Sequence, residues 1–183
     1  TDLIITLNNG KTTQTITISA GQTTGSTTFT SQNSEDVYID KSTETYTITD
    51  TTGGNYVSLN TSDSSIVTIV DTENEVKVTL VPQSEVFEGT DTVTFTVKVE
   101  SDIELTEPLV VTLSNGKTVE IPAGQTEFQV PVNVNNGEDV YVDGKPVELS
   151  IISAETPGKR FEALTVDTDV KTVNVKDTIN TVY

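Results

Sequence analysis

Apolar residues in this chain recur mostly at every second position, in short runs broken by turn residues. Val76, Val78 and Leu80 alternate with polar neighbours, and this period of two predicts a half-buried strand. The same alternation predicts strands through Val93, Phe95, Val97 and Val99, then Leu109, Val111 and Leu113. Asn115-Gly116 follows as a tight turn, because both residue types tolerate positive φ. Val119 and Ile121 come next, then Phe128, Val130 and Val132, with Pro131 pointing outward near an edge. A short strand is expected at Val140 and Val142, another at Val147, Leu149 and Ile151, and a last one through Val170, Val173 and Val175, where the slipped spacing predicts an irregularity. No helix-period pattern appears. Many short strands with one solvated face each predict a β-sandwich of the immunoglobulin-like kind.

The pattern occurs twice. Leu7-Asn8-Asn9-Gly10-Lys11-Thr12 returns as Leu113-Ser114-Asn115-Gly116-Lys117-Thr118, and Ala20-Gly21-Gln22-Thr23 as Ala123-Gly124-Gln125-Thr126. Glu35-Asp36-Val37-Tyr38-Ile39-Asp40 returns as Glu138-Asp139-Val140-Tyr141-Val142-Asp143, and Asp71-Thr72 as Asp177-Thr178. The period is about 105 residues. The chain is therefore expected to be all-β, with tandem immunoglobulin-like repeats at 1–72 and 73–183 and a short polar link at 71–75. Counterparts of residues 74–106 are missing from the first copy, so it lacks its first strands. An open sheet edge there is a template for strand addition from another chain. No Met is present, so the chain reads as a window cut from a longer array.

Composition narrows the function. The 35 Thr residues suit pleated surfaces. The formal net charge is -18, from 28 acidic and 10 basic residues. That argues against nucleic acid, which is held by basic patches that release counterions. No stretch is apolar enough for membrane insertion. Without His or Cys, neither Ser-His-Asp nor Cys-His nucleophile systems can form within the chain. A glycosidase needs two carboxyl groups facing each other across a cleft, and a narrow all-β repeat offers none. The expectation is a protein that is not an enzyme.

Taken together and in this order, Asn9-Gly10, Ala20-Gly21-Gln22-Thr23, Glu35 to Asp40, a Gly-aromatic stretch (Gly54-Asn55-Tyr56, matched by Gly158-Lys159-Arg160-Phe161) and Asp71-Thr72 resemble the extender repeats of giant RTX adhesins. These are long surface and biofilm adhesins that Gram-negative bacteria export by type I secretion. The first copy departs in having Asp40-Lys41-Ser42 where the second has Asp143-Gly144-Lys145. The resemblance implies a secreted, cell-surface spacer whose partners are neighbouring repeats of the same long chain, stiffened by Ca²⁺.

Ca²⁺ takes six to eight oxygen ligands, and sandwich loops gather acidic residues at their ends. Glu88 sits in a turn after the first strand and Asp177 closes the last. The first and last strands of such a fold run parallel, so the two residues are expected at one end. Asp139 and Asp143 flank a short strand nearby. The repeat adds Asp71, Asp36 and Asp40, and the link adds Glu73. The same Asp residues equally suit turn formation and solvated charge, and no EF-hand loop is present. Tyr38 and Tyr141 share a repeat position and read either as glycan-stacking rings or as structural tyrosines that pack the ring and donate the hydroxyl to backbone. Lys159-Arg160 reads as a solvated loop pair or as a contact for an acidic partner. A carbohydrate-binding sandwich and a strand-complemented, self-assembling surface subunit are the alternatives to the spacer.

Overall fold

The computed structural model describes residues 1–135 and 137–183. The described residues form strands, turns and loops and no helix, so none is long and apolar enough to cross a membrane. Two compact units form. One comprises Thr1–Glu35 and Asp40–Asp71; the other comprises Asp36–Ile39 and Thr72–Tyr183. Asp36–Ile39, which the repeat places in the first copy, thus packs with the second unit.

The first unit is one antiparallel sheet. Its strands are β1 (Leu3–Asn8), β2 (Thr13–Ile18), β3 (Ser42–Gly53) and β4 (Ser64–Ile69), in the order β2-β1-β3-β4. Gly10 turns the β1–β2 hairpin at φ 86°, while the Asn9 side chain accepts the amides of Lys11 and Thr12 at 3.0 and 2.8 Å. Leu3 stands opposite Ile18 and Ile5 opposite Ile16, which gathers the apolar side chains on one face. Of these only Leu3 is buried. Residues 24–30, the counterparts of a strand in the second copy, form none here.

The second unit is a sandwich. Its strands are β5 (Glu75–Pro82), β6 (Val86–Phe87), β7 (Thr92–Ser101), β8 (Leu109–Leu113), β9 (Thr118–Ile121), β10 (Glu127–Asn133), β11 (Val147–Leu149), β12 (Ile151–Glu155), β13 (Ala163–Val166), β14 (Lys171–Val173) and β15 (Val175–Lys176). One sheet runs β10-β7-β5-β13; shorter groups run β12-β8-β9, β11-β14 and β15-β6. Val76, Val78, Leu80, Val93, Phe95 and Val97 meet Leu109, Val111, Leu113, Ile121, Leu149 and Val173 in one dry core. Each such side chain contributes roughly 1.5–3 kcal/mol on burial.

Among the described residues β10 pairs with β7 alone, so a segment without a β7 neighbour lacks that ladder. That explains why residues 24–30 stay irregular. Pro131 is exposed on β10, an edge strand, where its missing N–H costs no ladder bond. The last expected strand is divided into β14 and β15 at Asn174, within the regular spacing of Val173 and Val175; the slip in spacing lies between Val170 and Val173, and Val170 falls before β14. The expected strand at Val140 and Val142 is absent: these residues lie in an exposed loop. Two strands escape the alternation rule. β6 is only two residues long, and β13 pairs in parallel with β5, a partner distant in sequence.

Candidate metal centre

β6 and β15 run parallel, Val86 beside Val175 and Phe87 beside Lys176. The amide of Glu88 donates to Lys176 O at 2.8 Å. Glu88 and Asp177 therefore leave the sheet at the same end, one residue beyond the last paired position of each strand.

Glu88 is 4% exposed. Its Oε1 accepts the amide and the hydroxyl of Thr178, both at 2.7 Å. The same hydroxyl approaches Glu138 Oε1, and one hydroxyl proton cannot serve both carboxylates. Oε2 of Glu88 is buried and has no hydrogen-bond partner. An unpaired buried carboxylate oxygen is costly, which makes this atom the focus of the site.

Two loop aspartates converge on the Glu88 carboxylate. Oxygens of Glu88, Asp139 and Asp143 all lie within 4.8 Å of one another. Asp139 Oδ1 accepts the amide of Tyr141 at 2.7 Å, a local turn that fixes the loop. Asp177 Oδ1 accepts the amides of Asp143 and Gly144 at 3.2 and 2.7 Å and so ties the loop to the end of β15. Gly144 is required there, since a Cβ would fall 2.4 Å from Val175 O.

The electrostatics are one-sided. Burial raises the Asp143 carboxyl above its ordinary range, and the charges of Asp139, Asp177 and Glu88 raise it further, against a small opposing pull from Lys145. Glu138 is lowered by hydrogen bonds from Thr178 and then Asn180. Asn180 Nδ2 donates to Glu138 Oε1 at 2.7 Å and to Asp139 O at 2.6 Å. An all-oxygen donor set with converging negative charge and an unsatisfied buried oxygen fits a hard divalent cation.

The eight residues singled out in the sequence separate into two groups. Glu88, Asp139 and Asp143 come together, with Asp177 organising their loop. Asp36, Asp40, Asp71 and Glu73 join no comparable group among the described residues. Asp36 belongs to the second unit and accepts the Tyr38 amide at 2.6 Å. Asp40 and Asp71 belong to the first, where Asp71 Oδ1 accepts the Asp40 amide at 3.2 Å. Glu73 is exposed. This chain has no first-copy counterpart of Glu88, and that residue supplies the buried oxygen. Thr178, Glu138 and Asn180 were not singled out as site residues, although Thr72/Thr178, Glu35/Glu138 and Asn74/Asn180 recur in the repeat.

The two tyrosines differ. Tyr38 is 1% exposed and Tyr141 is 72% exposed. Tyr38 fits the structural reading of a packed ring, and its hydroxyl meets backbone as an acceptor, taking the amide of Glu107 at 3.3 Å. Lys159 is no simple solvated loop residue, because its ammonium lies 4.6 Å from the centroid of the Tyr38 ring.

The LapA domain family model matches residues 1–72 and 74–178. The chain belongs to the LapA domain family. That membership connects it with the LapA adhesin, and so with surface adhesion and a cell-surface setting. No curated protein matches the chain.

Proposed function

We propose that this chain is a structural extender, two immunoglobulin-like repeats of a secreted RTX adhesin, and that it has no enzymatic activity. On this reading neighbouring repeats of the same long chain are its partners, and Ca²⁺ stiffens the end of the second unit. The observation that carries the calcium reading is the Glu88 carboxylate, which has a buried, unpartnered Oε2 and lies beside the carboxylates of Asp139 and Asp143. Bound Ca²⁺ would satisfy that oxygen and neutralise the converging charge, with Glu88, Asp139 and Asp143 as side-chain ligands. The loop that carries the aspartates would then be locked to the end of β6. A rigid end suits a spacer, whose task is to transmit length.

Thermal unfolding with Ca²⁺, with Mg²⁺ and with chelator tests this. At a hundredfold excess over Kd the expected stabilisation is about 2.7 kcal/mol, a rise in Tm of roughly 10 °C for a domain of this size. Mg²⁺ demands tighter octahedral geometry and is expected to do less. Equal melting in Ca²⁺ and chelator would remove calcium from the mechanism.

The open sheet of the first unit supports a second reading. Ile66 and Val67 of β4 are exposed, and among the described residues of this unit no second sheet covers the face that carries Ile5, Leu7 and Ile16. A strand from another chain would cover it. Solution mass that rises with concentration would favour this complementation; a constant monomer would exclude it.

A further inference from the structure

Val37 and Tyr38 belong to the first copy by sequence, yet they complete the core of the second unit at 0% and 1% exposure. The Tyr38 ring packs on Phe161, with centroids 5.3 Å apart. Lys159 lies over the ring and is 3.5 Å from Glu107, whose amide meets the Tyr38 hydroxyl. Backbone bonds seat the segment: Ile39 N donates to Arg160 O at 2.8 Å and Glu162 N to Val37 O at 2.9 Å. The arrangement is a plug in a receptacle made by Glu107 and residues 159–162.

The second copy carries the same plug, Glu138-Asp139-Val140-Tyr141, in the same local conformation. Asp36 holds the Tyr38 amide at 2.6 Å and Asp139 holds that of Tyr141 at 2.7 Å. Asn74 donates to Asp36 O at 3.1 Å and Asn180 to Asp139 O at 2.6 Å. Asp71 holds the Asp40 amide and Asp177 that of Asp143, each at 3.2 Å. Val140, Tyr141 and Val142 are nonetheless 52%, 72% and 92% exposed. The loop is preorganised while its apolar side chains face water. Preorganisation of this kind lowers the ordering cost of binding.

We infer that Val140 and Tyr141 form a docking plug for a further repeat of the same design, which receives them in an aromatic, cation-topped receptacle like the one that holds Val37 and Tyr38. Another intact copy of this chain does not fit the role, because its receptacle is already filled. A glycan-stacking role for the repeat position conflicts with the burial of Tyr38. The inference rests on the tandem-array reading and deepens it by naming the coupling residues. It does not depend on calcium.

Hydrogen exchange tests it, on the chain as it stands and on a chain extended after Asn180 by a second copy of residues 75–183. That fusion reproduces the Asn74 junction. In the parent, the Ile39 amide, bonded to Arg160 O, is expected to exchange slowly and the Val142 amide, in an exposed loop, quickly. In the extended chain the Val142 amide is expected to slow by about tenfold or more, in chelator as well as in Ca²⁺, and Tyr141→Ala is expected to restore fast exchange. Fast exchange at Val142 beside a protected β7 in the added copy overturns the inference. An added copy that stays unfolded also overturns it, because the second unit folds around its plug. Slowing at Val142 without any effect of Ca²⁺ on Tm would uphold the plug and reject the calcium reading.

Discussion

Glu88 and Asp177 stand at the same end of a parallel strand pair, one residue beyond Phe87 and Lys176, and they divide the work of one site. Glu88 supplies a buried oxygen without a partner. Asp177 spends its Oδ1 on the Asp143 and Gly144 amides and so presents Asp143 to Glu88.

Glu88→Gln separates charge from shape. Gln keeps the acceptor for Thr178 and puts an amide group in place of the other carboxylate oxygen, on a side chain beside Asp139 and Asp143. In chelator the variant is expected to be more stable than the parent by about 1 kcal/mol. Its Ca²⁺-dependent rise in Tm is expected to vanish. Parallel melts in Ca²⁺ and chelator check both; a variant that keeps the parent's calcium shift would show that Glu88 is no ligand.

The Asp143 carboxyl gives the site a pH signature. Its folded value is raised, by burial first and by Asp139, Asp177 and Glu88 next. The folded state therefore binds this proton more tightly than the unfolded state does, and ionising Asp143 costs stability. The cost is absent below the unfolded value and complete above the folded one. In chelator, the parent should lose stability relative to Asp143→Asn as pH rises from the ordinary carboxylate range through the raised folded value. Glu138 acts in the opposite sense: its folded value is lowered by Thr178 and Asn180, so its contribution is lost as pH falls. The difference between parent and Asp143→Asn isolates the first effect, and a flat difference would contradict it. Ca²⁺ affinity should weaken as pH falls through the same range, because protons compete for the ligands.

Tyr38 and Tyr141 occupy one repeat position in two environments. Tyr38→Ala empties a core site and should destabilise the second unit by about 3–5 kcal/mol. Tyr141→Ala removes an exposed ring and should stay within about 0.5 kcal/mol. Denaturant unfolding followed by hydrogen exchange on β5 and β7 assigns each loss to its unit. Equal effects would mean that Val37 and Tyr38 do not belong to the second core.

Much of the sandwich was readable from local pattern. Alternation located β5, β7, β8, β9 and β10, because each has one face in the core and one in water. Parallel first and last strands were the expected reason for Glu88 and Asp177 to share an end; the pair that brings them there is β6 and β15, because β5, the first strand of the alternating pattern, pairs in parallel with β13. Alternation failed at Val140 and Val142, where the apolar residues face solvent in a loop. It also failed at β13, whose parallel partner β5 lies some ninety residues away in sequence.

The sequence by itself determined the all-β character, the duplicated pattern and the acidic loop residues, since period, turn chemistry and charge are properties of neighbouring positions. Only the tertiary structure decided that Asp139 and Asp143 reach Glu88 while Asp36, Asp40 and Asp71 build no such group among the described residues. Only it decided that Tyr38 is buried and Tyr141 exposed. The physical reason is the same in both cases. Burial and charge convergence depend on which distant segments pack against a residue, and two nearly identical motifs acquire different environments when only one of them has a receptacle or a buried carboxylate beside it.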